Sequence, residues 1–181
     1  LLDQLASENF DEIIVLCYSE CLPVQVADAH TLITLLHLRD IAVKNPKIKY
    51  SITTEMLDVR NRNLAEIAKA DDFIVSDRLV SLVLAQVSEN KQINSVYQDL
   101  FDPEGAEIYL KPISEYVFPN APVNFYTLLE AARRKGETAI GYRIQAHARN
   151  SAKNYGVSIN PPKHREITFA MEDRLIVLAN S

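Results

Sequence analysis

The first 77 residues alternate between short apolar runs and longer stretches with helical spacing. Asp11 to Tyr18 (DEIIVLCY) is a continuous apolar run rich in β-branched residues. That is how a strand buried on both faces reads. A helix is predicted over Asp28 to Asn45, with Asp28 as its cap and Ala29, Leu32, Ile33, Leu36 and Val43 on one inward stripe. Asn45-Pro46 stops it, because proline cannot continue the hydrogen-bond ladder. Ile48 to Thr54 predicts a second strand, Asp58 to Ala70 a second helix with Leu64, Ile67 and Ala68 inward, and Asp72 to Val75 a third strand. The order β-α-β-α-β is that of half a doubly wound sheet.

Asp77 then caps a predicted helix over Arg78 to Asn90 (RLVSLVLAQVSEN). Leu79, Leu82, Val83 and Val87 make one stripe, whereas Val80 and Leu84 point elsewhere. A helix apolar most of the way round needs cover on more than one side. One cover is the sheet. The other is either a second copy of the chain, with Leu79, Val80, Leu82, Val83, Gln86 and Val87 at the interface, or a second subdomain of the same chain. A further helix is predicted over Gln92 to Phe101.

The character changes at Asp102-Pro-Glu-Gly105, the first glycine in the chain. Ala106 to Ile113 and Thr138 to Ala146 read as strands, with a helix over Asn124 to Lys135 between them. In that helix Phe125, Leu128, Leu129 and Ala132 face inward, and Gly136 follows as a stop. His147 to Gly156 is a polar loop, Val157 to Asn160 a short strand, Glu172-Asp173 a turn and Arg174 to Ala179 a final strand. The expected fold is α/β: the C-terminal half of a Rossmann-like doubly wound sheet (1–77), a crossover helix pair (78–101), and a small α+β C-terminal subdomain (102–181).

The missing glycines limit the chemistry. A dinucleotide-binding domain holds phosphates at a glycine-rich turn after its first strand, where only glycine lets the backbone approach closely. With no glycine before Gly105, that turn and the Walker loop are both impossible here. The expectation is a chain that starts partway through the subdomain, with sheet surface exposed where the absent half would cover it. Composition is that of an ordinary globular protein, 48% hydrophobic and 24% charged. A net charge of −5 argues against a broad basic face and a nucleic-acid partner. No apolar run reaches the ~18 residues needed to span a bilayer.

Candidate reactive residues are few. Cys17 reads as a core thiol and Cys21 as a loop thiol, which suits a reducing compartment. His30 and His37 are two turns apart, too far for a metal pair, and His147 and His164 have no ligand-spaced partner. Asp99, Asp102, Glu104 and Glu107 form an acidic stretch, where Ca²⁺ binding competes with the ordinary use of acids in turns. Ser19, Glu20 and Asp28 flank the loop after the first strand. Ligands of open α/β sheets bind at the carboxyl ends of strands, so these three are candidate rim residues of the complete domain's site. No nucleophile signature or acid-base pair is present, so the expectation is a regulatory or structural chain rather than an enzyme.

Val80 to Val117 (VSLVLAQVSENKQINSVYQDLFDPEGAEIYLKPISEYV) closely resembles the Castor/Pollux family of ion channels. The resemblance continues through ETAIGYR (137–143), SINPPK (158–163) and MEDRLIVLA (171–179), and more weakly back to VADAHTLITLLHLRDI (26–41). It implies a cytosolic domain of the kind that regulates K⁺ conductance, an RCK domain, with a Rossmann-like part, a crossover helix that pairs two copies, and a small α+β part. The parent would be an integral membrane channel, tetrameric in its pore, with this chain at the cytosolic face. Ligand binding, by Ca²⁺ or a nucleotide in the complete domain, would open the pore; this fragment itself is assigned no bound cofactor. Two alternatives stay open: a soluble regulatory subunit that docks onto a transporter, and the C-terminal half of a nucleotide-dependent enzyme.

Overall fold

In a computed structural model the described residues are 10–18, 22–45, 50–61, 72–102, 104–148 and 150–180. The chain divides into two compact units, Leu1–Lys91 and Gln92–Ser181.

The first unit holds a parallel sheet of three strands, β1 (Glu12–Val15), β2 (Ser51–Met56) and β3 (Asp72–Val75), with β2 in the middle. Helix α1 (Val24–Lys44) connects β1 to β2, as parallel pairing requires of a crossover. It packs Leu35 and Leu38 on Ile52, with Ile13, Val15, Leu32 and Tyr50 around them. The Tyr50 hydroxyl donates to the Leu38 carbonyl and ties the start of β2 to the helix. On the other face of the sheet Ile14, Leu16 and Ile74 stay exposed and line a shallow depression with Thr53, Thr54 and Glu55.

The observed α1 differs from its prediction in two ways. It starts at Val24, after Pro23, so Asp28 lies inside the helix and does not cap it. Its buried face is Ala27, Asp28, Thr31, Leu35, Leu38 and Ile41. The expected stripe is largely wet, with Ile33, Leu36 and Val43 exposed. The cause is that α1 has apolar residues on both faces, so spacing alone does not choose between them. The predicted second helix falls mostly on residues 62–70, outside the described residues; Val59–Asn61 is a single 3₁₀ turn. The start of the predicted strand at Ile48 also lies outside them.

Helix α2 (Ser76–Glu89) follows β3 directly. The second unit opens with α3 (Ile93–Phe101) and then builds an antiparallel sheet ordered β4-β9-β6-β7. Its strands are β4 (Ala106–Pro112), β6 (Thr138–Arg143), β7 (Val157–Ile159) and β9 (Arg174–Asn180). Helix α4 (Phe125–Arg134) covers one face. Asn124 caps it, its side-chain oxygen accepting from Thr127 N–H at 3.1 Å, and Gly136 ends it at φ 75°. The core joins Phe125, Leu128 and Ala132 of α4 to Ile113, Ala139, Phe169, Leu175, Val177 and Ala179. Tyr142 stacks edge-on to Phe169, with ring centroids 5.3 Å apart. Two short strands, β5 (Pro122–Asn124) and β8 (Glu166–Thr168), pair antiparallel beside it; the sequence pattern does not reveal them.

Gly141 sits at a bulge in β6, opposite Ile159 of β7. A Cβ there would fall 2.3 Å from the Ser158 carbonyl oxygen, so only glycine lets β6 and β7 approach this closely.

Candidate functional site

Three groups of residues were expected to carry function: the rim after β1, the acidic stretch at 99–107, and the apolar helix after β3. Of the rim residues, Ser19 and Glu20 lie outside the described residues. Asp28 does lie near the carboxyl ends of the parallel strands, but it faces inward and is completely buried rather than standing on a rim. Its Oδ1 accepts from Leu57 N–H at 2.9 Å, and its Oδ2 from Asp58 N–H at 3.1 Å and from Asn61 Nδ2 at 2.7 Å. The thiol of Cys17 approaches Oδ1 at 3.6 Å. Asp28 thereby ties α1 to the turn after β2. A buried carboxylate with both oxygens engaged is a fixed post, not a group waiting for a ligand.

Neighbouring groups extend the tie. Cys17 N–H donates to Glu55 Oε2 at 3.0 Å, and Gln25 Nε2 to Asp58 Oδ2 at 2.8 Å. Burial pushes the Cys17 thiol above its ordinary range, and the negative charges of Asp28 and Glu55 add to this. The thiol is therefore held protonated and unreactive. Asp58 is brought down to about 2, mainly by hydrogen bonds from Arg60.

In the acidic stretch, Asp102 Oδ1 accepts from Glu104 N–H at 3.0 Å, a turn-forming bond. Glu107 accepts from the Tyr109 hydroxyl, and the Asp99 carbonyl accepts from Asp102 N–H. Among the described residues no group of three or more His, Cys, Asp or Glu side chains converges as a metal site requires.

Helix α2 is apolar and exposed along its described length. Leu79, Val80, Leu82 and Leu84 are 49%, 57%, 55% and 63% exposed, and none of its described side chains is buried. Val83 and Val87 are half-buried, and Gln86 is exposed. In the second unit, helix α3 has exposed Val96 and Phe101, the latter stacked on Tyr97. Contiguous apolar exposure of this kind is one of the marks of an interaction surface.

One polar cluster of the second unit was not foreseen. Glu137 accepts from Lys111 Nζ at 2.7 Å and from the Tyr116 hydroxyl at 2.5 Å. Burial alone would raise the Glu137 carboxyl, but these two bonds and the charges of Lys111 and Lys135 outweigh it and hold the group below its ordinary range. Burial and the same bond push the Tyr116 phenol up. Its members are far apart in sequence, so no local pattern announces it.

No family model matches the chain. Curated relatives do. It is 32% identical over 209 residues to "Probable ion channel SYM8" of Pisum sativum, covering 99% of this chain and 22% of that protein. To "Ion channel DMI1" of Medicago truncatula it is 32% identical, covering 99% and 23%. To "Ion channel CASTOR" of Lotus japonicus it is 31% identical, covering 98% and 23%. Similar solved structures include the GsuK RCK domain, at TM-score 0.35 and 17% identity over 94% of this chain and 30% of that one. The GsuK channel bound to NAD is similar at TM-score 0.40 and 17% identity, over 99% and 27%. The chain spans less than a quarter of the length of these curated relatives. Over nearly its whole length the chain is similar to one segment of these ion channels.

Proposed function

We propose that the chain is a regulatory segment of a Castor/Pollux-type cation channel, lying at the cytosolic face and coupling ligand binding to pore opening. The observation that carries this reading is similarity to ion channels over 98–99% of the chain. The described residues contain no helix long and apolar enough to cross a membrane, so in this reading the pore is formed elsewhere in the parent. Helix α2 is the surface through which two copies pair. A ligand that binds one arrangement of the paired copies more tightly than the other shifts the population between them, and the pore responds. The role is regulatory rather than catalytic.

The test is reconstitution of the full-length parent in liposomes, with K⁺ flux measured before and after an alkaline wash. Flux that survives the wash supports a channel. Release of the protein by the wash with loss of flux favours a subunit that docks onto a separate transporter.

A further inference from the structure

The outer face of the second unit's sheet, away from α4, carries two arginines side by side. Arg143 of β6 and Arg174 of β9 are directly opposed in the antiparallel register. Leu175 and Val177 point into the core, so Arg174 and Ile176 belong to the opposite face. Tyr142 also packs on the core, which places Arg143 beside Arg174. Both side chains are half-buried. Among the described residues neither has a hydrogen-bond or ion-pair partner, and the Arg143 Nε is buried with no acceptor there. The adjacent carboxylate, Asp173, is turned away: it accepts from Gln145 N–H and Ala170 N–H, each at 2.8 Å.

This arrangement is unfavourable as it stands. Like charges directly opposite each other across two strands destabilise a sheet. A buried guanidinium N–H without an acceptor loses its solvation and gains nothing. Four other cations of the same unit are paired with carboxylates. Lys111 is paired with Glu137, Lys135 with Glu115, and Arg133 and Arg134 with Glu130. The next row of the face is apolar, with Leu110, Ile176, Gly141 and Ile159 in register. Leu110 and Ile159 in that row are 45% and 56% exposed. Two guanidinium forks beside an apolar strip match an oxyanion attached to an organic body.

We propose that Arg143 and Arg174 form a binding site for an oxyanion, a phosphate or carboxylate group. Its source is either a small free molecule or an acidic side chain of a second copy of the chain. The two sources share one chemistry: the anion fills the acceptor that Arg143 Nε lacks and neutralises the repulsion between the two strands. The proposal does not depend on the channel reading.

The test follows the unfolding midpoint of the chain in inorganic phosphate, with sodium chloride at matched ionic strength as control, and its sedimentation in phosphate-free buffer. For a free anion, phosphate raises the midpoint of the native chain beyond chloride, and the Arg143→Gln/Arg174→Gln variant does not respond. In phosphate-free buffer that variant is at least as stable as the native chain, because the opposed charges are gone. Arg143→Lys keeps the charge but loses the fork, and binds phosphate about tenfold more weakly. For a carboxylate of a second copy, the native chain self-associates beyond the α2 pairing, phosphate reverses that extra association, and the double variant lacks it. The proposal is overturned if chloride reproduces the phosphate effect, if the double variant keeps the native response, or if neither stabilisation nor dissociation occurs.

Discussion

At the scale of single residues, polar groups inside the fold decide more than their number suggests. Asp28 reads from sequence as a helix cap or a ligand-facing acid, since aspartate is common in both places. What places it inside is the turn after β2, whose N–H groups of Leu57 and Asp58 and amide of Asn61 all donate to it. These partners lie some thirty residues away, so local spacing could not show them. Asp28→Ala leaves three donors without an acceptor in a buried place. The expected loss is about 3 kcal/mol of unfolding free energy in urea titration, with a smaller loss for Asp28→Asn, which keeps one oxygen. Equal stability of Asp28→Ala and the native chain would show that water replaces the carboxylate. The Glu137 carboxylate makes a pH-dependent contribution. Its folded value lies below the ordinary 4.5, so it stabilises above that pH and the contribution is lost as pH falls through the folded value. Glu137→Gln should cost about 1 kcal/mol at pH 7, and the gap to the native chain should close progressively as pH falls below about 4.5. A gap that stayed constant down to pH 3 in denaturant titrations would sink the assignment.

At the scale of elements, the legible ones had a single apolar face and clear punctuation. Helix α4 has Asn124 before it, Gly136 after it, and Phe125, Leu128 and Ala132 on one side, and it forms as its pattern predicts. Helix α1 has two apolar faces. The buried one includes Asp28 and Thr31, which a reading based on polarity assigns to solvent, so spacing points to the opposite side. Strands β5 and β8 have three residues each, too short to show an alternation. Helix α2 was recognised as apolar on several sides, and its exposure leaves Leu79, Val80, Leu82 and Leu84 available to a partner. In the double variant Leu82→Asp/Val83→Asp, a charge placed in an apolar seam costs several kcal/mol of association unless it is paired. Sedimentation should show a self-associating native chain and a monomeric variant with unchanged circular dichroism. If the variant remains a dimer, α2 is not the pairing element.

At the scale of the whole molecule, the two units differ in the cores that their described residues build. The second has nine buried side chains in one cluster, from Ile113 through Ala179, with the Tyr142 ring against both Phe125 and Phe169. In the first, the described cluster of buried residues is Leu35, Leu38 and Ile52. Its sheet leaves Ile14, Leu16 and Ile74 exposed on one face. Burial of apolar surface is the dominant stabilising term, at about 25 cal/mol per Å², so the larger core should survive conditions that melt the smaller one. Separate cores that differ in size depart from all-or-none unfolding. The expectation is two transitions in urea. Amides of β6 and β9 should exchange slowly through the first, while those of β1 and β2 exchange freely. A polypeptide of residues 92–181 alone should fold and melt at the midpoint of the second transition. If it fails to fold, or if all amides exchange in one step, the second unit depends on the first and the chain acts as a single cooperative body. In the regulatory reading that outcome matters directly, because a ligand felt by one unit would then be felt equally by the other without any change in the arrangement of paired copies.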